Sequence, residues 1–344
     1  MSSSNRWRHR PPGSNWGDFG ADDQLGRLNL LTPGRVLKAM EEVWEGRTFC
    51  LSLPLEYPGG SKLNPRRKPP RIFPTVRENG CLTCNFIMSE GRHDGTDVVN
   101  DDVAILSLQY SSHWDAFSHY GSLFDADGDG IAEIVYYNGF PGLDTIVTQA
   151  DDASPTRQMR ALALGVENIA ASGVQGRGVL VDLRAVLGDE KTLVGYETLL
   201  RIMRMQNVQV EEGDILCLHT GFAQRVIESG LNPDHRTLHE SCVALDGRDR
   251  ALLDWIDRSG LAAIVADNYA VEGGPYDDLQ GHVAGMPLHE HCLFKLGIPL
   301  AELWHLSPLA EWLRLHGRTR FLLTAPPIRL TGAVGAPVTG VATV

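Results

Sequence analysis

Beyond residue 150, the apolar positions of the chain follow two different repeats in turn. Compact apolar runs, which are typical of buried strands, alternate with segments in which apolar residues recur at helical spacing. The predicted strands lie at 178–183, 213–219, 261–266, 320–324 and 340–344. The predicted helices lie at 196–205, at 252–260 and from Ser307-Pro308 onward. This alternation predicts an α/β fold, namely a single domain with a mixed β-sheet flanked by helices.

The N-terminal segment has a different character. Residues 1–24 are polar and predict a loosely structured arm, with Trp7 and Trp16 as its anchors. The domain proper is therefore predicted to span residues 25–344.

Besides an alternating strand at 49–55, two elements are predicted between the arm and the central region. Thr32 before Pro33 is a helix-start signal, and Gly46 predicts the end of that helix. The apolar run at 103–110 predicts a buried strand. This strand would lead directly into a group of chemically reactive side chains.

Three potential metal ligands follow that strand within seven residues: His113, Asp115 and His119. They stand at positions i, i+2 and i+6, and residues at even spacing on an extended strand point to one face. Imidazole nitrogens and carboxylate oxygens suit zinc or manganese, and two or three of them can form a catalytic metal site. The alternative is a partly buried strand whose histidines only form hydrogen bonds.

Later histidines and carboxylates could complete such a site. His289 and Glu302 flank a predicted short helix and turn, which would return a nitrogen and a carboxylate to the same pocket. His291 stands two residues after His289, and at most one of the two is expected to point inward, because positions i and i+2 do not share a helical face. His219 ends a predicted strand and the segment 267–272 follows another, which is where open sheets carry site residues.

Composition and charge argue against some functions. The 344 residues carry 31 Lys and Arg against 43 Asp and Glu, a net charge of -12. This balance disfavours nucleic-acid binding, which needs a basic surface, and gives no support to docking on anionic membranes. The sequence shows neither an apolar stretch of about 20 residues nor a secretory signal, so we expect a cytoplasmic protein.

Two further motifs carry less weight. Cys81 and Cys84 form one isolated C-x-x-C without a second pair, and plain loop cysteines are expected. The run from Asp125 to Gly130 matches the start of an EF-hand loop, but its twelfth position is Tyr136, where a bidentate glutamate is required. An Asp- and Gly-rich turn is therefore expected there.

The stretch from Gln109 to His119 resembles the metal-binding motif of the cyclase family of metal-dependent hydrolases, which includes bacterial kynurenine formamidase and isatin hydrolase. The family motif is H-x-G-T-H-x-D-x-P-x-H, and this chain reads Q-Y-S-S-H-W-D-A-F-S-H at those positions. A downstream His and Glu of the family pattern are matched by His289 and Glu302. Gln109 replaces the first histidine of the motif, which leaves open whether one metal ion or two are bound.

The resemblance implies a swivelling β/β/α cyclase-like fold, a homodimer or homotetramer, and a divalent ion, Mn²⁺ or Zn²⁺. The implied metal ligands are His113, Asp115, His289 and Glu302. An ion so held would lower the pKa of a bound water toward about 7. We assign His119 as general base and then acid, because an imidazole titrates near working pH.

The remaining assignments concern the substrate. Gln109 is given a catalytic role through a hydrogen bond to water or substrate, and Trp114, Phe117 and His219 are assigned to substrate binding, although aromatic residues there could equally be core packing. The predicted function is hydrolysis of an amide or lactone bond in a small, cyclic or aromatic substrate. Two alternatives stay open: a metal-dependent cyclase or dehydratase of a polyketide-like substrate, and a non-catalytic small-molecule binding protein.

Overall fold

A nine-stranded mixed sheet runs through the centre of the computed structural model, which describes residues 6–88, 95–150, 157–277, 280–281 and 283–344. The strands of this part of the chain are Thr48–Cys50 (β1), Arg71–Pro74 (β2), Phe86–Ile87 (β3), Val98–Val99 (β4), Asp102–Ile105 (β5), His113–Asp115 (β6), Ser122–Phe124 (β7), Glu133–Tyr136 (β8), Phe140–Pro141 (β9), Ile146–Gln149 (β10), Gln158–Ala161 (β11), Gln175–Asp182 (β12), Thr192–Val194 (β13), Ile215–His219 (β14), Val243–Leu245 (β15), Ala263–Ala266 (β16), Leu300–Glu302 (β17), Arg320–Thr324 (β18), Gly335–Pro337 (β19) and Val341–Thr343 (β20).

The α-helices are mostly short. They are Pro33–Met40 (α1), Gly142–Thr145 (α2), Val166–Ser172 (α3), Arg184–Leu187 (α4), Tyr196–Met205 (α5), Phe222–Glu228 (α6), His235–His239 (α7), Arg250–Ser259 (α8), Pro287–His289 (α9) and Ser307–Leu315 (α10). A π-helical segment, Glu290–Leu296, continues α9, and 3₁₀ turns occur at Gly26–Leu30 and Tyr137–Gly139. None of the described helices is long and apolar enough to span a membrane.

The large sheet has the strand order β1-β20-β18-β12-β14-β16-β17-β6-β19. Its four central strands, β12, β14, β16 and β17, are parallel, and the strands on either side of them pair antiparallel. The central strands are buried along almost their whole length, as expected for parallel strands covered on both faces. Their carboxyl ends lie at one edge of the sheet.

Side-chain alternation divides the apolar core into two layers. Val181 and Leu300 belong to the layer that packs against α5 and α8, and we call this side of the sheet the α5 face. Leu180, Cys217 and Ala301 belong to the layer that packs against α10, on the opposite side, which we call the α10 face. Whether a residue stands at an odd or an even position along its strand (its parity) therefore decides whether its side chain lies on the α5 face or on the α10 face.

The predicted α/β fold class, a single domain with a mixed sheet flanked by helices, is confirmed. In the second half of the chain, where predicted strands and helices alternate, individual predicted elements also match the observed ones. Helix α5 covers the predicted residues, Tyr196–Met205, and Gly260 ends α8 in a left-handed conformation with φ 67°.

Predictions for the first half of the chain were less accurate. Thr32 does cap α1, since its side chain accepts a hydrogen bond from the Arg35 amide, but the helix ends at Met40 and not near Gly46. The predicted buried strand at 103–110 is wrong.

Only part of that run forms a strand, β5, and it pairs with β2 in an exposed two-stranded ribbon. Val103 and Ile105 are 50% and 63% exposed, so their apolar character does not reflect burial. The strand of the central motif is also short, because β6 covers only His113–Asp115.

The N-terminal arm, whose first five residues lie outside the described part, is anchored through Trp16. This side chain is 1% exposed, and its Nε1 donates a 2.8 Å hydrogen bond to the Phe294 carbonyl. Asn15 Nδ2 donates in the same way to the Leu296 carbonyl at 2.8 Å. Carbonyls in the last turn of a helix have no intrahelical donor, so the arm satisfies the end of the π-helical segment that begins after His289.

Candidate metal centre

The pairing of β6 with β17 forms the centre of the candidate site. In this antiparallel pair, Glu302 lies opposite His113 and Leu300 lies opposite Asp115. Residues directly opposite each other share a face, so His113, Asp115 and Glu302 all project to the α5 face. All three are buried, and each contributes one ligand atom to a group whose atoms lie within 4.8 Å of one another.

Four ligand atoms of this cluster have no hydrogen-bond partner among the described residues. They are His113 Nε2, both carboxylate oxygens of Asp115, and Glu302 Oε2. The distance from His113 Nε2 to Asp115 Oδ1 is 3.3 Å, and the distance to Glu302 Oε2 is 3.9 Å. Buried polar atoms without partners are rare in folded proteins, and a concentration of them calls for an explanation.

A backbone contact fixes the tautomer of His113. Its Nδ1 lies 2.7 Å from the Ser111 carbonyl oxygen, which can only accept, so Nδ1 carries a proton. In the neutral ring, Nε2 then presents a lone pair to the cluster. This hydrogen bond is of the kind that orients metal-bound imidazoles.

His289 reaches the cluster from α9 and is held by Glu272. Glu272 Oε1 accepts hydrogen bonds from His289 Nδ1 at 2.8 Å and from the His289 amide at 2.9 Å, while Oε2 accepts from the Leu288 amide at 3.2 Å. A carboxylate at the start of a helix is favoured by the unpaired amides there. Held in this way, His289 turns Nε2 toward Glu302 Oε1, at 3.5 Å.

His119 lies on the other side of the cluster, in the turn that follows β6. Its Nε2 is 3.7 Å from Asp115 Oδ1, and its side chain is 25% exposed, whereas the His113 side chain is completely buried. Burial lowers the pKa of His119 below the ordinary value, so the ring is neutral at pH 7. It is thus the histidine of the cluster that combines a neutral ring with access to solvent.

Gln109 lies beside the cluster because position 335 is a glycine. Gly335 pairs with Asp115 across β19 and β6, and a Cβ at position 335 would lie 2.7 Å from Gln109 Nε2. The Gln109 amide therefore occupies the space above Gly335 that a side chain would fill. The backbone carbonyl of Gln109 accepts a 2.7 Å hydrogen bond from Arg67 Nη1.

The Arg67 guanidinium is the nearby positive charge. At His119 it adds to the burial that lowers the pKa. At His113, burial and Arg67 both act to lower the pKa, but Asp115 and Glu302 outweigh them and the pKa is raised. Its ring neighbour is Tyr269, whose centroid lies 5.6 Å from the guanidinium carbon. Among the described residues no carboxylate pairs with Arg67, which leaves its charge available to a bound anion.

The cluster concentrates ionised groups away from water. Burial alone would lower the pKa of His289, but Glu272 and Glu302 outweigh it and raise the pKa to about 10. For Asp115, burial alone would raise the pKa, but the surrounding histidines hold it well below its usual range. Without a metal ion, the carboxylates are therefore compensated by protonated imidazoles.

These observations fit a divalent cation. A cation placed among the four unpartnered atoms would take the place of the imidazolium protons and neutralise the buried carboxylates. The donor set of imidazole nitrogen and carboxylate oxygen suits both Zn²⁺ and Mn²⁺.

The other predicted site residues lie elsewhere. Trp114 is fully buried on the α10 face, where its Nε1 donates to the Ala325 carbonyl at 2.8 Å and its ring packs edge-on against Trp304. Phe117, 1% exposed, packs against Tyr137 in the core. Both aromatic side chains are part of the core and do not form the wall of a pocket.

His219 also lies away from the cluster. It continues the row of Cys217 onto the α10 face, the opposite side of the sheet from Glu302, and it cannot line a pocket at the cluster. His291 points toward Leu253 and Asp257 of α8, where burial lowers its pKa to about 4. His289, and not His291, is therefore the histidine that faces the cluster.

The two minor motifs adopt ordinary loop structures. The Asp125 carboxylate accepts backbone hydrogen bonds from Gly128, Asp129 and Gly130, as in a tight Asp-rich turn. Cys81 and Cys84 are exposed free thiols.

Two residues of the site, Glu272 and Arg67, were not assigned to it from the sequence, which predicts that the basic run Arg66-Arg67-Lys68 is a solvated face. Glu272 was noted only as part of a polar segment after a strand, since its contact with His289 spans 17 positions. Arg67 sits in a Pro- and Gly-rich basic loop, and periodicity does not predict where loop side chains point.

Comparison with known proteins gives the family. The sequence profile of a family described as putative cyclases matches residues 49–273, so the chain belongs to this family. The matched segment contains the central motif and Glu272, and it ends before His289 and Glu302. No curated protein matches the chain.

Solved structures share the fold. One described as a novel cyclase is 28% identical, with a TM-score of 0.73, and the match covers 98% of this chain and 100% of the other. Isatin hydrolase A from Labrenzia aggregata, bound to benzyl benzoate, is 13% identical, with a TM-score of 0.54 and coverage of 86% and 93%. Isatin hydrolase A from Ralstonia solanacearum is 14% identical, with a TM-score of 0.54 and coverage of 90% and 97%.

Proposed function

We propose that this protein is a metal-dependent hydrolase that opens an amide or lactone bond in a small, cyclic or aromatic substrate. The observation that carries the proposal is the group of four unpartnered, buried ligand atoms on His113, Asp115 and Glu302. His289, with its ring held by Glu272, is the fourth ligand in this proposal. A bound zinc or manganese ion supplies a Lewis acid that lowers the pKa of water toward about 7 and polarises a carbonyl group.

His119 is the general base and acid in this proposal. Its neutral ring takes a proton from the attacking water and returns it to the leaving nitrogen or oxygen. The partial exposure of the ring lets it exchange that proton with solvent, which buried His113 cannot do.

Gln109 and Arg67 orient the substrate. Gln109 Nε2 donates a hydrogen bond to the carbonyl oxygen of the bond to be cleaved, where negative charge develops during attack. The Arg67 guanidinium binds an anionic or strongly polar substituent of the substrate, because it carries no carboxylate partner among the described residues.

Metal analysis coupled to a hydrolysis screen tests the proposal. Protein purified with added zinc or manganese should contain the ion, and it should hydrolyse a member of a panel of cyclic amides, aryl formamides and lactones. Dialysis against a chelator should abolish the activity, and adding back the ion should restore it.

A matched pair of histidine variants locates the site. His113→Ala should lose the ion and the activity, whereas His235→Ala, which removes a 75% exposed imidazole, should retain both. Activity that survives chelation, or an unchanged rate in His113→Ala, contradicts the proposal. Protein that stays empty under metal supplementation favours a non-catalytic binding protein.

A metal-dependent cyclase or dehydratase is the second candidate, and the description of the family as putative cyclases favours it. In that reaction the cluster would stabilise an enolate of the substrate. Reaction in ¹⁸O-labelled water separates the two, because hydrolysis places the label in the product and cyclisation does not.

Assembly and location are also proposals. We expect a homodimer or homotetramer acting in the cytoplasm. Light scattering of the purified protein tests the first, and fractionation of the source cells tests the second.

A further inference from the structure

A second group of polar side chains lies on the α10 face, at the carboxyl ends of β12 and β14. Asp182 and His219 are the last residues of these strands and pair with each other across the sheet. Ser307, the first residue of α10, lies against them. The carboxyl ends of parallel strands are where open α/β sheets place ligand sites.

The three side chains form one hydrogen-bonded array. His219 Nδ1 lies 2.7 Å from Asp182 Oδ1, and His219 Nε2 lies 3.0 Å from Ser307 Oγ. An ionised carboxylate only accepts, so Nδ1 carries a proton and Nε2 accepts the Ser307 hydroxyl hydrogen. Nucleophile, base and orienting carboxylate thus stand in the order that activates a serine.

The carboxylate of this array is firmly held. Arg314 Nη1 donates to Asp182 Oδ2 at 2.8 Å, and the Ala185 amide donates to Oδ1 at 3.1 Å. Burial alone would raise the pKa of Asp182, but the hydrogen bond from His219 and the nearby positive charge outweigh it, so the pKa is lowered. Asp267 Oδ2 lies 3.9 Å from His219 Nε2, so a second acidic side chain faces the ring.

The array opens onto a cavity of about 640 Å³. Ser307 is partly exposed there, while Asp182 and His219 are buried behind it. The wall carries charges of both signs, from Arg184, Glu228, Glu311 and Arg314, together with the Gln224 amide. Such a wall suits a small polar ester better than a long acyl chain.

We propose that Ser307 is the nucleophile, and His219 its base, of a second, metal-independent site that hydrolyses small polar carboxylic esters, with Asp182 positioning His219. This site lies on the opposite face of the sheet from the metal cluster and does not depend on the function proposed for that cluster.

The chemistry balances with water as the co-reactant. The Ser307 hydroxyl proton moves to His219 Nε2 as Oγ forms a bond to the ester carbonyl carbon. The bond from that carbon to the alcohol oxygen breaks, and the alcohol leaves with the proton from His219. Water then attacks the acyl group, gives a proton to His219, and displaces Ser307 Oγ, which takes the proton back.

Covalent labelling of the intact protein tests the site directly. Diisopropyl fluorophosphate reacts with activated serines, and peptide mass spectrometry locates the adduct. At pH 7.5 the adduct should form on Ser307, both in the metal-loaded protein and in the presence of EDTA. Exposed Ser229, which has no histidine partner among the described residues, is the internal control and should stay unmodified.

Variants then assign the roles. His219→Gln should slow labelling by at least about 100-fold, the usual effect of losing a general base. Asp182→Asn should also slow it, and Asp182→Glu, which keeps a carboxylate, should recover part of the rate. Ser229→Ala should label like the wild type.

The outcomes divide cleanly. Loss of labelling in His219→Gln, with full labelling in the metal-site variant His113→Ala, supports the second site and separates it from the metal cluster. No adduct on Ser307 in the wild-type protein, or labelling of Ser307 no faster than that of Ser229, overturns the proposal. Undiminished labelling in His219→Gln overturns it as well.

Discussion

Replacing Trp16 by alanine tests whether the N-terminal arm is an integral part of the folded domain. The side chain is 1% exposed, and its ring packs edge-on against Phe294 at a centroid distance of 5.2 Å. A buried tryptophan removes roughly 200 Å² from water, which at about 25 cal/mol per Å² corresponds to about 5 kcal/mol at most. Large-to-small core substitutions of this kind cost about 3–5 kcal/mol, so the two figures agree.

The hydrogen bond of the indole can be measured separately. Trp16→Phe keeps most of the ring contact but removes the donor to the Phe294 carbonyl, so about 1–2 kcal/mol should be lost. Trp44→Ala is the matched control, because Trp44 is 73% exposed, and its loss should stay below about 1 kcal/mol.

Thermal unfolding and limited proteolysis are the assays. Trp16→Ala should lower Tm by roughly 4–7 °C, with Trp16→Phe between it and the wild type. If the arm detaches before the domain unfolds, trypsin should cleave the variant after Arg8, whose amide is paired with the Ala126 carbonyl in the docked arm, at temperatures where the wild type resists. A Trp16→Ala protein that melts and resists trypsin like Trp44→Ala would refute a docked arm.

Of three further predictions, two concern the supports of the site and one concerns the ion pairs of Glu211. Gly335→Ala should lower activity at least 10-fold, because the new Cβ would lie 2.7 Å from Gln109 Nε2 and 2.8 Å from the Trp114 carbonyl oxygen, so both the Gln109 amide and strand β6 must shift. Steady-state kinetics measures the loss of activity, and thermal unfolding measures the strain. Glu272→Gln should make metal affinity less dependent on pH between 7 and 9. The Glu272 carboxylate helps to raise the pKa of His289 to about 10, and His289 must lose its proton before it can bind a metal ion. Competition with a chromogenic chelator at each pH measures the affinity. Hydrogen bonds from Lys38 and Arg177 lower the pKa of Glu211 to about 2, so its stabilisation is present above about pH 4.5 and lost as the pH falls toward 2. At pH 7, Glu211→Gln should therefore be less stable to thermal unfolding than the wild type, by no more than about 1 kcal/mol because the carboxylate is 42% exposed. At pH 2 the two proteins should unfold at the same temperature.

The sequence predicted best those elements that bury a continuous run or a regular stripe of apolar residues. Strands β12 and β14 and helices α5 and α8 have continuous or strictly periodic apolar positions, because each packs against the core without interruption. The prediction of a buried strand at 103–110 was wrong for the opposite reason, because β5 lies in an exposed ribbon with β2. Its apolar residues Val103 and Ile105 face solvent, and a composition that fits a buried strand does not by itself define burial.

The ligand set of the candidate site could be proposed from the motif, but its supports could not. His113, Asp115 and Glu302 come together because β6 pairs with β17, a contact between segments almost 190 positions apart along the chain. Neither the hold of Glu272 on His289 nor the space that Gly335 leaves for Gln109 has a local pattern that a single sequence displays.

The assignment of His219 shows why a strand end alone does not locate a site residue. The rule that site residues follow the carboxyl ends of parallel strands applies to both faces of the sheet. Glu302 shares the parity of Leu300 and enters the α5 face, whereas His219 shares the parity of Cys217 and enters the α10 face. Alternation within one strand shows which of its residues share a face. Which residues of two different strands share a face depends on their register, and the register is set by the pairing of the strands. The same strand-end chemistry can therefore serve two separate sites in one sheet, which is the arrangement that the metal cluster and the Ser307 array present.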